Sequence, residues 1–167
     1  GLTWIEEWQT ILVRPDSGIR SPRDLRGKRL ALPAWEAGDR PGSIARAMSL
    51  SGYKGALSLA GLDFTDVHLV EVALHPRDDS LPPQEGLQRL WSGLDYLVRG
   101  EVDAVYVKGA SAADAARRLG LVVGIDLDLI AEPRYRINNG TPRPITVHQS
   151  LLDNHFDLVV RFLAQTL

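Results

Sequence analysis

Two short runs have the residue types needed to hold an anion. Pro41-Gly42-Ser43 follows an apolar run and opens a helical pattern, and Gly109-Ala110-Ser111 repeats the arrangement later, with Lys108 beside it. The first N–H groups of a helix lack intrahelical partners and carry partial positive charge. Small residues let an anion approach them, and a serine hydroxyl adds a donor. A carboxylate, sulfonate, sulfinate or phosphate would suit either place, and an ordinary helix cap would have the same sequence. Trp35, in the loop before the first run, offers either a flat apolar face for an organic ligand or a packing lid.

The remaining polar residues point to less. His68, His75, His148 and His155 form no His-Glu-x-x-His or other paired metal spacing. His68 and His155 read as surface or structural imidazoles, whereas His75 ends a predicted strand in a loop at the expected ligand edge and is a candidate contact. In a strand, Glu6 and Glu7 would point to opposite faces and could not act together on one substrate. Asp78-Asp79 reads as a solvated loop pair. There is no Gly-x-Gly-x-x-Gly, no Gly-x4-Gly-Lys-Ser/Thr and no Gly-x-Ser-x-Gly, which argues against dinucleotide, P-loop and serine-hydrolase chemistry. The absence of Cys excludes disulfides, Cys-ligated zinc, iron–sulfur clusters and a Cys nucleophile within these residues.

The elements that must position these residues follow from periodicity. Strands are predicted over 9–14, 28–32, 67–73, 102–107, 121–125 and 145–147, from short β-branched or apolar runs bounded by Gly and Pro. A short helical turn is predicted over 21–25, with Ser21 at its cap and Pro22 following. Apolar residues at helical spacing from Ile44 predict a helix, or a helix pair broken near Gly52 and Gly55. Further helices are predicted over 86–99, 111–119 and 150–167, the last with Leu151, Leu152, Val159, Phe162 and Leu163 on its apolar side. Alternating strands and helices imply an α/β domain with a largely parallel sheet, whose ligands sit outside the carboxyl ends of the strands. That selects three loops: 33–43, 73–85 and 108–112.

Composition fits this class. At 167 residues the chain has room for about one domain of 100–200 residues. It is 44% hydrophobic and 24% charged, which excludes disorder as its main state. A net charge of −2 argues against a general nucleic-acid binder but leaves room for a local anion site. No apolar run is long enough to span a membrane. The start, Gly1-Leu2-Thr3-Trp4, has neither the basic nor the apolar region of a signal peptide and reads as the middle of a strand, so a fragment is expected.

The most specific run is Ser21-Pro22-Arg23-Asp24-Leu25-Arg26-Gly27-Lys28-Arg29-Leu30-Ala31-Leu32. It resembles the passage into the second lobe of type II periplasmic binding proteins, with Ile11 to Ile19 fitting the preceding strand. Leu97-Val98-Arg99-Gly100-Glu101-Val102-Asp103-Ala104-Val105 is similar to the family's later helix-to-strand segment. The nitrate/sulfonate/taurine and thiamine-precursor group is the nearest in kind. Gly1-Leu2-Thr3, Ala56-Leu57, Ala60-Gly61-Leu62, Asp66-Val67 and the Pro-rich spacer before Gly86 also resemble the aromatic sulfinate desulfinases.

The resemblance implies a periplasmic-binding-protein-like II fold of α/β class. Most of the chain would be the second lobe, a three-layer α/β/α sandwich over 21–135. Residues 1–20 would be a first-lobe remnant with the first hinge strand. Residues 136–167 would be the second hinge with a returning first-lobe strand and helix. It implies an ABC-transporter-type solute-binding protein for a small anionic organic ligand such as a sulfonate, partnered by a membrane permease and needing no cofactor. The alternative is a hydrolase releasing sulfite from an aromatic sulfinate. Its catalytic Cys would lie upstream, with Gly1 at an active-site backbone position. A regulatory ligand-sensing module is a third possibility. The setting would be extracytoplasmic for transport and cytoplasmic for the desulfinase. At the cleft the resemblance implies Trp35, Ser43 and the segment from Tyr106 through Lys108 to Gly109, with Asn138 and Asn139 by the second hinge, and Gly42 and His75 join them as candidate contacts from their places at a helix start and a strand end. A fragment would also expose apolar surface prone to self-association.

Overall fold

The computed structural model describes residues 2–6, 8–35, 40–73, 93–136 and 140–166. The chain divides into two compact units, Glu7–Asn139 and the pair of segments Gly1–Glu6 and Gly140–Leu167.

The larger unit is built on a five-stranded sheet. Its strands are β2 (Gln9–Val13), β3 (Arg29–Pro33), β4 (His68–Val72), β5 (Ala104–Lys108) and β6 (Val122–Asp126). Their order across the sheet is β4-β3-β5-β2-β6. β3 runs parallel to β4 and β5, and β2 runs antiparallel to both β5 and β6. Four strands therefore share a direction and β2 is reversed. The carboxyl ends of β3, β4, β5 and β6 lie along one edge with the amino end of β2. Its hydrogen bonds with β5 and β6 put β2 inside this unit.

Helices cover both faces. α1 (Arg40–Leu59) packs on one, with Tyr53, Ala56 and Leu57 buried against Ile11, Val13, Ala104 and Tyr106. The other carries α2 (Leu94–Val98) and α3 (Ala110–Arg118), where Leu94, Leu97, Ala112, Ala115 and Ala116 meet Leu12, Ala31, Val105 and Val107. Alternate residues of β2 and β5 thus supply two separate cores, as the two-residue period of a strand requires. The predicted turn at Ser21 is present: the Asp24 carboxylate accepts from the Ser21 N–H and hydroxyl at 2.8 and 2.9 Å.

α1 is one continuous helix, not the interrupted pair that Gly52 and Gly55 suggested. Gly55 is there for packing. A Cβ on it would run into the backbone carbonyl of Tyr135, which cannot swing aside. Gly55→Ala is expected to destabilise the unit by about 1–3 kcal/mol, although alanine is the better helix former. The urea midpoint checks this; an unchanged or raised midpoint would show that the backbone yields.

The smaller unit pairs β1 (Leu2–Glu6) antiparallel with β7 (Gly140–Pro144) and adds α4 (Gln149–Thr166). The last strand lies five residues upstream of the one predicted at 145–147. The β-branched run Ile145-Thr146-Val147 is non-strand, while Pro142 and Pro144 are within β7. A two-strand ladder has only edge strands, where proline is tolerated. α4 is kinked at His155 (φ −144°, ψ 42°), which breaks the helical register: Val159 is buried while Phe156, Leu158 and Phe162 are exposed. No helix among the described residues is long and apolar enough to cross a membrane. Of the predicted helix over 86–99, residues 86–92 lie outside the described residues, as do Glu7 and Asp78-Asp79.

Candidate functional site: a crevice between two parallel strands

The residues around the carboxyl ends of β3 and β5 form the candidate site. After β3 the chain passes into α1 on one face of the sheet, and after β5 into α3 on the other. Neighbouring strands whose following helices leave to opposite faces create a crevice at their carboxyl ends, where α/β sheets bind ligands.

The two strands are joined at one end and parted at the other. At the amino end, the Asp103 carboxylate accepts from the Arg29 backbone N–H at 2.8 Å and from its guanidinium at 2.7 and 3.1 Å, and the Asp103 N–H donates to the Arg29 carbonyl at 2.8 Å. These bonds, the side-chain bond from Arg29 foremost, hold the Asp103 carboxyl below its ordinary range. A lowered folded-state value stabilises the fold above the unfolded carboxylate range, and that contribution is lost as pH falls through the folded value. Wild-type stability should therefore drop as pH falls from about 4 toward 2, and Asp103→Asn should flatten that drop. Urea titrations across this range check it; equal slopes for the two proteins would refute the assignment.

Next to this clamp β3 and β5 share their single register pair, Leu30↔Ala104, and toward the carboxyl end they have none, whereas β3 and β4 are paired along all of β3. The Tyr53 hydroxyl sits between the parted strands, donating to the Ala31 carbonyl at 2.8 Å and accepting from the Tyr106 N–H at 2.9 Å. Burial raises the Tyr53 phenol well above its ordinary value, so it stays a donor. The ring of Tyr106 meets that of Tyr53 edge-on at 6.5 Å, and its own hydroxyl donates to Gln9 Oε1 at 2.6 Å. The Tyr106 side chain is buried.

One lip carries Trp35. The Ala34 N–H still bonds the Val72 carbonyl at 3.0 Å, and Trp35 is the next residue. Its indole is 65% exposed, with the Arg46 guanidinium 5.3 Å from the ring centroid. Arg46 also donates to the Pro33 carbonyl at 2.7 Å and to Glu71 at 2.8 Å, so α1 clips the point where β3 leaves the sheet. A cation on one face of the ring offsets its negative quadrupole there.

The other lip is Lys108, Gly109 and α3. Gly109 is the N-cap of α3, with φ 83° and ψ 170°, a conformation open essentially only to glycine. Its N–H donates to the Trp8 carbonyl at 2.7 Å, tying the lip to the residue before β2. No side chain caps α3, and its first turn carries no acidic residue, so its N-terminal charge is not neutralised locally. On the far side of β2 the Asp128 carboxylate accepts from the Gln9 N–H at 3.0 Å, and Leu127 N–H donates to the Gln9 carbonyl at 3.1 Å.

Of the predicted contacts, Trp35 and the segment Lys108–Gly109 thus follow adjacent strands of one sheet edge. Gly42 and Ser43 fall in the first turn of α1, whose backbone alone is described there. Gly1, His75, Asn138 and Asn139 lie outside the described residues. His68 and His155 are exposed, and the His148 ring is bonded locally to Ser150 at 2.7 Å. Among the described residues, no cluster of three or more acidic or imidazole side chains could hold a metal ion. Trp8, Gln9, Arg46 and Tyr53 were not foreseen. Tyr53 had a signal: it shares a helix face with Ala56 and Leu57, and a tyrosine on a core-facing stripe must find a partner for its hydroxyl.

No protein-family model and no curated protein matches the sequence. Solved structures do. The desulfurization enzyme DszB superposes with a TM-score of 0.62 at 22% identity, over 95% of this chain and 51% of that one. A mutant of that enzyme in complex with biphenyl-2-sulfinic acid gives 0.61 at 22%, with the same coverage. The periplasmic aliphatic sulphonate binding protein SsuA from Escherichia coli gives 0.51 at 18%, over 98% of this chain and 44% of that one. The chain spans about half the length of these structures. At such identities the likeness is one of architecture, and the architecture is the type II periplasmic-binding-protein fold.

Proposed function

We propose that the chain supplies one wall of a solute-binding site for a small organic anion. Its oxyanion head would sit at the N-terminus of α3 and its organic tail would run toward Trp35. The observation that carries this is the crevice: α1 and α3 leave adjacent parallel strands on opposite faces, and the parted lips carry an uncapped helix start beside Lys108 on one side and an exposed, cation-backed indole on the other. A sulfonate fits the demand for a fixed negative charge with an apolar tail. Gly42, Ser43, His75, Asn138 and Asn139 are proposed as further contacts, with Gly1 near the ligand. Residues 21–135 are proposed as most of the second lobe, and a membrane permease as the recipient of the solute in a transport setting. The apolar face of α4, with Phe156 and Phe162 exposed, is proposed as the surface through which the isolated chain self-associates.

A thermal-shift panel tests the ligand class. A ligand at about ten times its Kd stabilises by about 1.4 kcal/mol, or a few degrees for a chain of this size. An alkanesulfonate should raise the midpoint by that amount, and an alkylammonium of equal length should not. A larger shift with biphenyl-2-sulfinate would favour an aromatic sulfinate as the ligand, the class that a desulfinase would bind. Equal shifts for anion and cation would contradict an anion site.

A further inference from the structure

We infer that Tyr53 is a positioning residue whose hydroxyl, inserted into the β3–β5 ladder, keeps the crevice open for ligand. The register makes the insertion legible. With Leu30 opposite Ala104 in a parallel pair, the ladder alternates so that the next rung after this pair joins the Tyr106 N–H to the Ala31 carbonyl. Those are the two groups that the Tyr53 hydroxyl takes, at 2.9 and 2.8 Å. The rung is made through an oxygen instead of directly, so donor and acceptor are held apart by two hydrogen bonds in place of one. Neither group is left unsatisfied, which is why a buried sheet tolerates the gap. Beyond this point β3 and β5 have no further register pair: the next rung would need an N–H at residue 33, and Pro33 has none, so the strands opened at the spacer are not drawn together again before their ends at Pro33 and Lys108.

The spacer is itself held. Tyr53 is fully buried in α1, on the helix face that packs on the sheet with Ala56 and Leu57. The edge-on contact with Tyr106 fixes the ring, and the bond from Tyr106 to Gln9 fixes Tyr106 in turn. The Arg29–Asp103 clamp holds the opposite end of the same two strands shut. The result is a cleft hinged at its base and wedged one rung below its mouth. The width between Trp35 and Gly109 then depends on a phenolic oxygen that touches no ligand.

The test is Tyr53→Phe, which keeps the ring and removes the spacer. In isotope-labelled wild type, no through-hydrogen-bond coupling should join the Tyr106 amide nitrogen to the Ala31 carbonyl carbon. In Tyr53→Phe that coupling should appear as the rung closes, and affinity for the alkanesulfonate probe should fall about tenfold or more while the far-ultraviolet spectrum is unchanged. A folded variant with neither the coupling nor the loss of affinity would overturn the inference. So would a variant that gains the coupling but binds as wild type, since the width would then not matter. The binding arm rests on the proposed ligand site. If the wild type does not bind the probe, that site fails, whereas the coupling arm still reports whether the hydroxyl holds the strands apart. Should Tyr53→Phe not fold, the wild type answers directly. A slowly exchanging Tyr53 hydroxyl proton with a cross-peak to the Tyr106 amide supports the spacer, and a direct Tyr106–Ala31 coupling overturns it.

Discussion

Ala110→Asp is expected to weaken binding of an alkanesulfonate tenfold or more while leaving the protein as stable as before, or slightly more stable. The two effects have one cause. Ala110 is the exposed first residue of α3, directly after the Gly109 cap, in a first turn that carries no acidic side chain. A carboxylate there interacts favourably with the helix N-terminus, typically by 0.3–1 kcal/mol. The same carboxylate occupies the N–H groups and the positive potential that the ligand's head requires. At about 5 Å and an effective dielectric between those of protein and water, like-charge repulsion is on the order of 1–2 kcal/mol, roughly a factor of ten in Kd. Ala110→Asn, without the charge, should fall between the two, and added salt should narrow the gap between Asp and Asn. Calorimetric titration beside thermal melts reads both quantities. Unchanged affinity in a stable Ala110→Asp protein would remove the anion head from this helix terminus.

The largest loss of stability is expected at Ile11. It is fully buried in β2, opposite Tyr106 on one side and Ile125 on the other, and packs into the core beneath α1. Ile11→Ala should cost about 2–5 kcal/mol, because the flanking strands hold the cavity open. That is a large share of the 5–15 kcal/mol typical of a folded domain. Leu129→Ala, at an exposed leucine in the same unit, should stay within about 0.5 kcal/mol. Urea unfolding at constant slope checks both. A loss below about 1 kcal/mol at Ile11 would mean that β2 is not an interior strand of this sheet, flanked by β5 and β6.

Much of this architecture was legible in the chain, and the parts that were not have physical reasons. The strands at 29–33, 68–72 and 104–108 announce themselves because each is a short apolar run closed by a Pro, a loop or a Gly. Trp35 and Gly109 could be placed at one edge because the segments that follow parallel strands leave the sheet at the same edge. The reversed direction of β2 was hidden, since a strand buried on both faces reads the same whichever way it runs. Gly55 looked like a helix breaker because its reason for being glycine, the Tyr135 carbonyl, lies 80 residues away in sequence. Pro142 and Pro144 masked β7 because edge-strand tolerance depends on a partner, β1, that local pattern cannot supply. Gln9 looked like the polar end of a strand, and its burial follows from Tyr106, which bonds its side chain.

A residue-resolved amide titration of the wild-type chain with an alkanesulfonate, run against chloride at equal ionic strength, reads directly whether an organic anion seats at the start of α3. Saturable shifts are expected at the amides of Gly109, Ala110 and Ser111 and at the Trp35 indole, absent with chloride. Shifts that match those of chloride, or that cluster away from the carboxyl ends of β3 and β5, would contradict the anion site.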